Sequence, residues 1–274
     1  MVNSFLAETN IDQVRSIQKE IYELYIADAQ KYDQAHRLKI QRIFQMIPSA
    51  MENKKKRMVA QAIEGKRGKC FTDYQDEFDY LISAGVALEV NAISNPVFPL
   101  FTSHQKNLLK LYLNDVGLLT SVIYKNAIKA IIDDTLSINL GSVYESFVAQ
   151  ELKAHKFKLY YYDNKKNGEV DYLIDDFNSL AVLPIAVKSG KDYRTHSALN
   201  HFVKSGVYPV KQGLVLSNDR EIKKNGKICY MPIYNVMFFE SERNEDLADY
   251  EKQLKEDIQK VRQTYGDHNV KSKS

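Results

Sequence analysis

Apolar residues recur at helical spacing over residues 11–29, where Val14, Ile17, Ile21 and Leu24 fall on one stripe and Asn10 stands as N-cap. Residues 36–47 repeat the pattern with Leu38, Ile43, Phe44 and Ile47, and Pro48, which has no backbone donor, is expected to stop the helix. A basic linker or short helix leads to Gly68. Residues 72–84 predict a third helix, with Thr72 as cap, Tyr74, Phe78, Leu81 and Ile82 inward, and Gly85 at its end.

The period then shortens. Val86, Leu88 and Val90 alternate, Asn95-Pro96 makes a turn, and a second apolar segment occupies 108–113. Helices followed by a two-stranded ribbon predict a winged-helix-like module. The helix it would present to DNA carries Asp73, Asp76, Glu77 and Asp79 without a single Lys or Arg. Such a face repels phosphate, so the module is expected to be structural or protein-contacting, with the basic stretch 54–69 as the argument for DNA.

Residues 141–155 (GSVYESFVAQELKAH) read as a strongly amphipathic helix burying Val143, Phe147, Val148 and Leu152. Strands follow at 157–162 and 169–174 around the turn Asp163–Gly168. Residues 181–187 (AVLPIAV) form a nearly unbroken apolar run, expected of a central strand buried on both faces. A helix at about 196–204 and a strand at 212–217 complete an α/β sheet core. In the tail, Leu247, Tyr250, Leu254, Ile258 and Val261 share one stripe, too short for a coiled coil; it is expected either to pack on the body or to offer a partner surface.

Charge sharpens this outline. The net charge is +3, from 38 basic and 35 acidic residues, so the whole-chain field announces no nucleic-acid partner. Its distribution is uneven: residues 52–69 hold seven basic and two acidic side chains, 186–227 hold nine and three, and 240–257 hold three and eight. The two cysteines, Cys70 and Cys229, have no zinc or disulfide-framework spacing. No apolar run nears the ~18 residues of a membrane span, and no signal peptide is legible, so a cytoplasmic protein without membrane contact is expected.

The chemistry lies in the second half. Hydrolysis of a phosphodiester with a hard cation needs oxygen ligands around the ion and a cationic group beside the attacking water. Glu169 and Asp171 are two apart in GEVDYLI, and Ala186 and Lys188 two apart in PIAVKSG, so strict alternation puts each pair on one face. Glu145 on the preceding helix adds a further oxygen. His196 opens the next helix, where a solvent-facing or capping role is expected.

Taken in order, GSVYESFVAQEL, GEVDYLI and LPIAVKSGKDYRTHSALNHF resemble the C-terminal domain of unknown function attached to many prokaryotic AAA-type ATPases, which looks like the PD-(D/E)xK nuclease superfamily. LKLYLNDVGLL (109–119) resembles that family's linker into its nuclease-like part, and the resemblance covers about residues 1–240. It implies a winged-helix-like helical module followed by a PD-(D/E)xK nuclease-like mixed sheet with flanking helices, an α/β architecture. By the same resemblance Glu145 matches the helical glutamate, Asp171 the metal-binding aspartate and Lys188 the catalytic lysine. The family carries a glutamate where this chain has Ala186, so Mg²⁺ would lose one oxygen ligand.

The resemblance divides the chain into a remnant of an ATPase lid (1–30), a winged-helix-like module (31–135), a nuclease-like domain (136–240) and an acidic helical tail (241–274). No GxxxxGK[ST] loop is present; GKRGKC at 65–70 lacks its spacing, and neither nucleotide binding nor ATP hydrolysis is expected. The leading expectation is a nuclease-like recognition or regulatory module, impaired at Ala186, that contacts DNA through Lys188, Lys191 and Arg194. Two rivals stand beside it. One is an active Mg²⁺-dependent endonuclease in which Glu169 or Glu145 replaces the missing ligand; the other is a scaffold for a protein partner, reached through the acidic tail.

Overall fold

A computed structural model describes residues 10–29, 34–53, 55–125, 140–164, 168–190 and 194–241, with isolated positions at 127, 129, 166, 256 and 259. Helix α1 (Ile11–Ala29) begins where expected: the backbone N–H groups of Asp12 and Gln13 donate to Asn10 Oδ1 at 3.0 and 3.3 Å. Helix α2 (Gln34–Glu52) runs through Pro48 instead of stopping there. Ile47, Ala50 and Met51 are all buried, and their packing outweighs the one donor that proline removes. A short α3 (Ala60–Glu64) is followed by a 3₁₀ turn (Phe71–Tyr74) and α4 (Gln75–Ser83).

The predicted helix over 72–84 is thus split, and Thr72 does not cap it. Asp73 Oδ2 accepts from the Cys70 N–H at 2.8 Å at the start of the turn. Nor is its acidic face whole. Glu77 is 1% exposed and is met by His36 Nδ1 at 2.9 Å and Lys39 Nζ at 3.2 Å, which fastens α4 to α2; only Asp73, Asp76 and Asp79 face outward.

Strands β1 (Ala87–Ile93) and β2 (His104–Leu113) form the antiparallel ribbon that the alternation predicts. Helices α5 (Val116–Tyr124) and α6 (Gly141–Ala154) come next, then β3 (Tyr160–Asn164), β4 (Gly168–Asp176), β5 (Ala181–Lys188), α7 (Ser197–Lys204), β6 (Gly213–Ser217), β7 (Lys223–Asn225) and β8 (Ile228–Pro232). A 3₁₀ turn, Ile233–Phe238, closes the described body. All eight strands belong to one mixed sheet in the order β2-β1-β3-β4-β5-β6-β8-β7. The ribbon is joined to the rest because β1 runs parallel to β3, with Asn91, Ala92 and Ile93 opposite Tyr160, Tyr161 and Tyr162. One sheet therefore passes through both the 31–135 and 136–240 segments.

Apolar layers cover both faces. Under α6, α2 and α4 lie Phe44, Phe78, Val90, Leu111, Val148, Leu152, Tyr172 and Ile185; under α7 lie Leu173, Val182, Ala186, Leu199, Phe202 and Val215. Near the start of the chain, α1 is held to α5 by the Arg15 guanidinium, which donates to Thr120 Oγ1 at 2.9 Å. A Cβ at Gly117 would lie 2.4 Å from Gln18 Nε2 and 2.7 Å from Asp115 Oδ1, so a side chain there would displace the ends of those two side chains. No helix among the described residues is long and apolar enough to cross a membrane. The tail unit, Glu240–Ser274, lies almost wholly outside the described residues, and with it the predicted tail stripe.

Because His36 and Lys39 converge on a carboxylate withdrawn from water, Glu77→Ala is expected to cost about 2 kcal/mol, read as a lower urea midpoint with unchanged slope.

Candidate functional site

The site grows from three departures from regular periodicity. The first is in α6, whose buried residues are Ser142, Glu145, Ser146, Val148, Ala149 and Leu152. Val143 and Phe147, predicted to be buried, are only half-buried, and the face is turned so that Glu145 points inward at 6% exposure. Its carboxylate is ion-paired with Lys56 and accepts from the Tyr112 hydroxyl at 3.3 Å, while the Tyr172 hydroxyl donates to its main-chain oxygen at 2.8 Å.

The second departure is in β4. Its register against β3 shifts by one residue between the pairs Tyr160↔Leu173 and Tyr162↔Val170. Val170 and Leu173 consequently lie in the same apolar cluster under α7, although three positions apart. Alternation is broken beside Asp171, but Glu169 and Asp171 both still bear on Lys110. Glu169 meets Lys110 in an ion pair, and Asp171 Oδ2 accepts the Val187 N–H at 2.7 Å, one residue beyond the paired ladder Tyr172↔Ile185 to Asp176↔Ala181.

The third departure is Lys110 itself. It lies opposite Val90, on the sheet face that also carries Tyr161 and Tyr172, and is 0% exposed, with its ammonium 4.6 Å from the centre of the Tyr161 ring. Burial works against its charge, but Glu169, Glu145 and Asp171 outweigh that, and the lysine holds its proton more firmly than usual. Beside it, Arg57 and Lys55 pair with Asp163, the guanidinium lying 5.8 Å from the centre of the same Tyr161 ring. Met58 N–H donates to Leu109 O at 3.0 Å, so the 55–58 segment is laid against β2.

Asp171 is the strained member. Burial and then the neighbouring Glu145 push its carboxyl up to about 6, against the opposing pull of Lys110, Lys188 and the Val187 N–H. Glu145, Glu169 and Asp171 thus share Lys110 as a common electrostatic neighbour, and Lys188 bears on Asp171 from the end of β5. Arg194 is exposed, and Lys191 lies outside the described residues. Ala186 packs under α7 at 4% exposure. His196 neither faces solvent nor caps α7 through its side chain: it is 4% exposed, with Nε2 2.7 Å from the Tyr230 hydroxyl, and burial lowers its pKa.

Lys56 and Lys110 were not among the residues singled out in the sequence. Lys110 had a legible signal, a lone cation inside LLKLYL two positions before Tyr112, since a charge within a buried strand must be met by a counter-charge. Lys56 looked like any member of a solvated basic run.

Among the described residues no group of three or more His, Cys, Asp or Glu side chains is arranged to hold a metal ion. The carboxylates are turned toward ammonium groups and a backbone N–H, and this donor set does not fit Mg²⁺ as it stands.

Residues 140–236 match the model of a family described as a domain of unknown function, DUF4143, and residues 1–129 match another so described, DUF8612. No curated protein and no solved structure matches the chain. The division coincides with the chemistry of the site. Lys55, Lys56, Arg57 and Lys110 come from the first segment, and Glu145, Asp163, Glu169 and Asp171 from the second.

An acid whose folded pKa is raised binds its proton more tightly folded than unfolded, so its contribution is complete below the ordinary value of 3.8 and lost as pH rises through about 6. The wild-type chain is therefore expected to gain stability relative to Asp171→Asn on acidification from pH 7 to about 4. Parallel pH-dependent urea titrations of the two proteins check this; a constant difference would deny the raised carboxyl.

Proposed function

We propose that this chain is a nuclease-like recognition or regulatory module of an AAA-type ATPase-linked system, one that engages DNA without hydrolysing it. The observation that carries the reading is on β5. Lys188 is retained at the strand's end, but Ala186, two residues earlier, supplies a methyl group to the apolar layer of Leu173, Val182 and Val215, where the family it resembles carries a glutamate. Metal-dependent cleavage requires oxygen ligands and a positioning cation to act as one unit. Here the cation is kept and that oxygen is absent. The resemblance of the three motifs to the nuclease-like domain of AAA-type ATPases supports the same reading, as does the basic surplus of residues 186–227, which offers a phosphate-facing surface.

Duplex DNA binding measured by fluorescence anisotropy is expected to weaken steeply with salt, and Lys188→Ala combined with Arg194→Glu to lower affinity about tenfold. The wild type should leave DNA intact in Mg²⁺. Metal-dependent cleavage that disappears in Asp171→Ala would replace this reading with the displaced-ligand endonuclease.

Ala186→Glu places a carboxylate in the layer under α7. It is expected to lower stability by about 3 kcal/mol, whether or not Mg²⁺ is added. Recovery of stability with Mg²⁺ would mean that residue 186 does reach a metal.

A scaffold for a protein partner is the second reading, and it has its own observation. Val97, Phe101, Phe177 and Leu180 are exposed at one end of the sheet, where the Phe98 and Phe177 rings meet at 5.5 Å and Asp175 Oδ1 accepts the Leu100 N–H at 3.0 Å. Absence of DNA binding at low salt would favour it.

A further inference from the structure

We propose that the Lys110 ammonium is a resident cation that takes the place of a divalent ion among Glu145, Glu169 and Asp171, so that the DUF8612 segment serves as built-in counter-ion to the carboxylate site of the DUF4143 segment. This rests on the nuclease-like reading of that site. The position of Lys110 has no ordinary explanation. A lysine kept for solubility would reach water, and one used to cover an apolar surface would let its head group escape. This one is 0% exposed in a strand between Leu109 and Leu111, and its charge is met by carboxylates that belong to the other matched segment.

The surroundings point to an ion rather than to a simple salt bridge. One ammonium is the shared neighbour of three carboxylates from two elements, α6 and β4, with the Tyr161 ring forming a wall at 4.6 Å. The buried Tyr161 and Ser146 hydroxyls have no hydrogen-bond partner. Beside Lys110, Lys56 occupies Glu145. A lysine fills this position with three donors on a compact charge. It cannot act as a Lewis acid or lower the pKa of a bound water, so the substitution keeps the carboxylates assembled while removing metal chemistry.

Taking the ammonium away therefore exposes a site for a hard divalent cation. The experiment uses the full chain and Mn²⁺, followed by the loss of its free paramagnetic resonance signal and by thermal unfolding in Mn²⁺ or EDTA. The wild type is expected to bind no stoichiometric Mn²⁺ and to melt at the same temperature in both. Lys110→Ala is expected to melt lower in EDTA, to bind one Mn²⁺ per chain, and to recover several degrees when Mn²⁺ is present. In Lys110→Ala with Glu169→Gln both the binding and the recovery should disappear.

Stoichiometric Mn²⁺ binding by the wild type would overturn the proposal. So would a Lys110→Ala chain that folds without taking up Mn²⁺, or one that folds in neither condition, since the ion must be able to replace the ammonium. DNA binding by the wild type is read separately. A chain that exchanges Lys110 for Mn²⁺ but binds no DNA keeps the resident cation and loses the nucleic-acid reading.

Discussion

The buried ammonium of Lys110 constrains more of this structure than any other group. An isolated lysine in a sheet interior would give up its proton or unfold the strand, because desolvating a charge costs several kcal/mol even after relaxation. Carboxylates must therefore come to it. Glu169 comes from β4, whose register slips by one residue beside it, and Glu145 from an α6 turned so that a glutamate lies inward while Phe147 stays half-buried. Once those carboxylates are inside, they require more cation than one lysine supplies, and the 55–58 segment brings Lys56 to Glu145. A single charge in the middle of β2 thus accounts for a bulge, a helix rotation and the path of a basic segment.

Stability itself lies elsewhere. The apolar layers on the two faces of the sheet supply the dominant favourable term, and a buried ion network commonly contributes little or nothing beyond what hydrophobic side chains of the same volume would. What such a network does provide is a particular arrangement: breaking any one pair leaves a charge stranded, so alternative registers of β4 or rotations of α6 are penalised. The Tyr112, Tyr161 and Tyr172 rings seal this layer, with Tyr112 and Tyr172 6.2 Å apart. At Glu169 and Asp171, both partly open, the layer meets the surface.

The elements that depend on periodicity were legible. Helices α1, α6 and α7 and strands β4, β5 and β6 all fall within a few residues of where apolar spacing puts them, since each buries one continuous face. What was hidden depended on contacts between distant segments. Pro48 looks like a stop until Ala50 and Met51 are seen to be buried, Glu77 looks like surface charge until His36 and Lys39 are found on it, and β7 (KKN) is too short and too polar to declare itself. The candidate residues Glu145, Asp171 and Lys188 could be selected because their order follows a family pattern. Lys56 could not, because its role exists only where the two matched segments touch, and Lys110 offered no more than the signal of a charge inside an apolar strand; the bulge beside Asp171 was not legible at all.

The parallel pairing of β1 with β3 also sets an order of events. Strand β1 ends at Ile93, and the segment that completes its second edge begins at Tyr160, with helices α5 and α6 encoded between them. As the chain leaves the ribosome, the β1–β2 ribbon emerges with that edge unsatisfied and with Lys110 still lacking its carboxylates. Only after β3 and β4 have followed can either be met. The amino-terminal half therefore waits in a form prone to pairing with other strands, and its capture by the second half, over a long sequence separation, is a slow step in which premature association competes with correct closure.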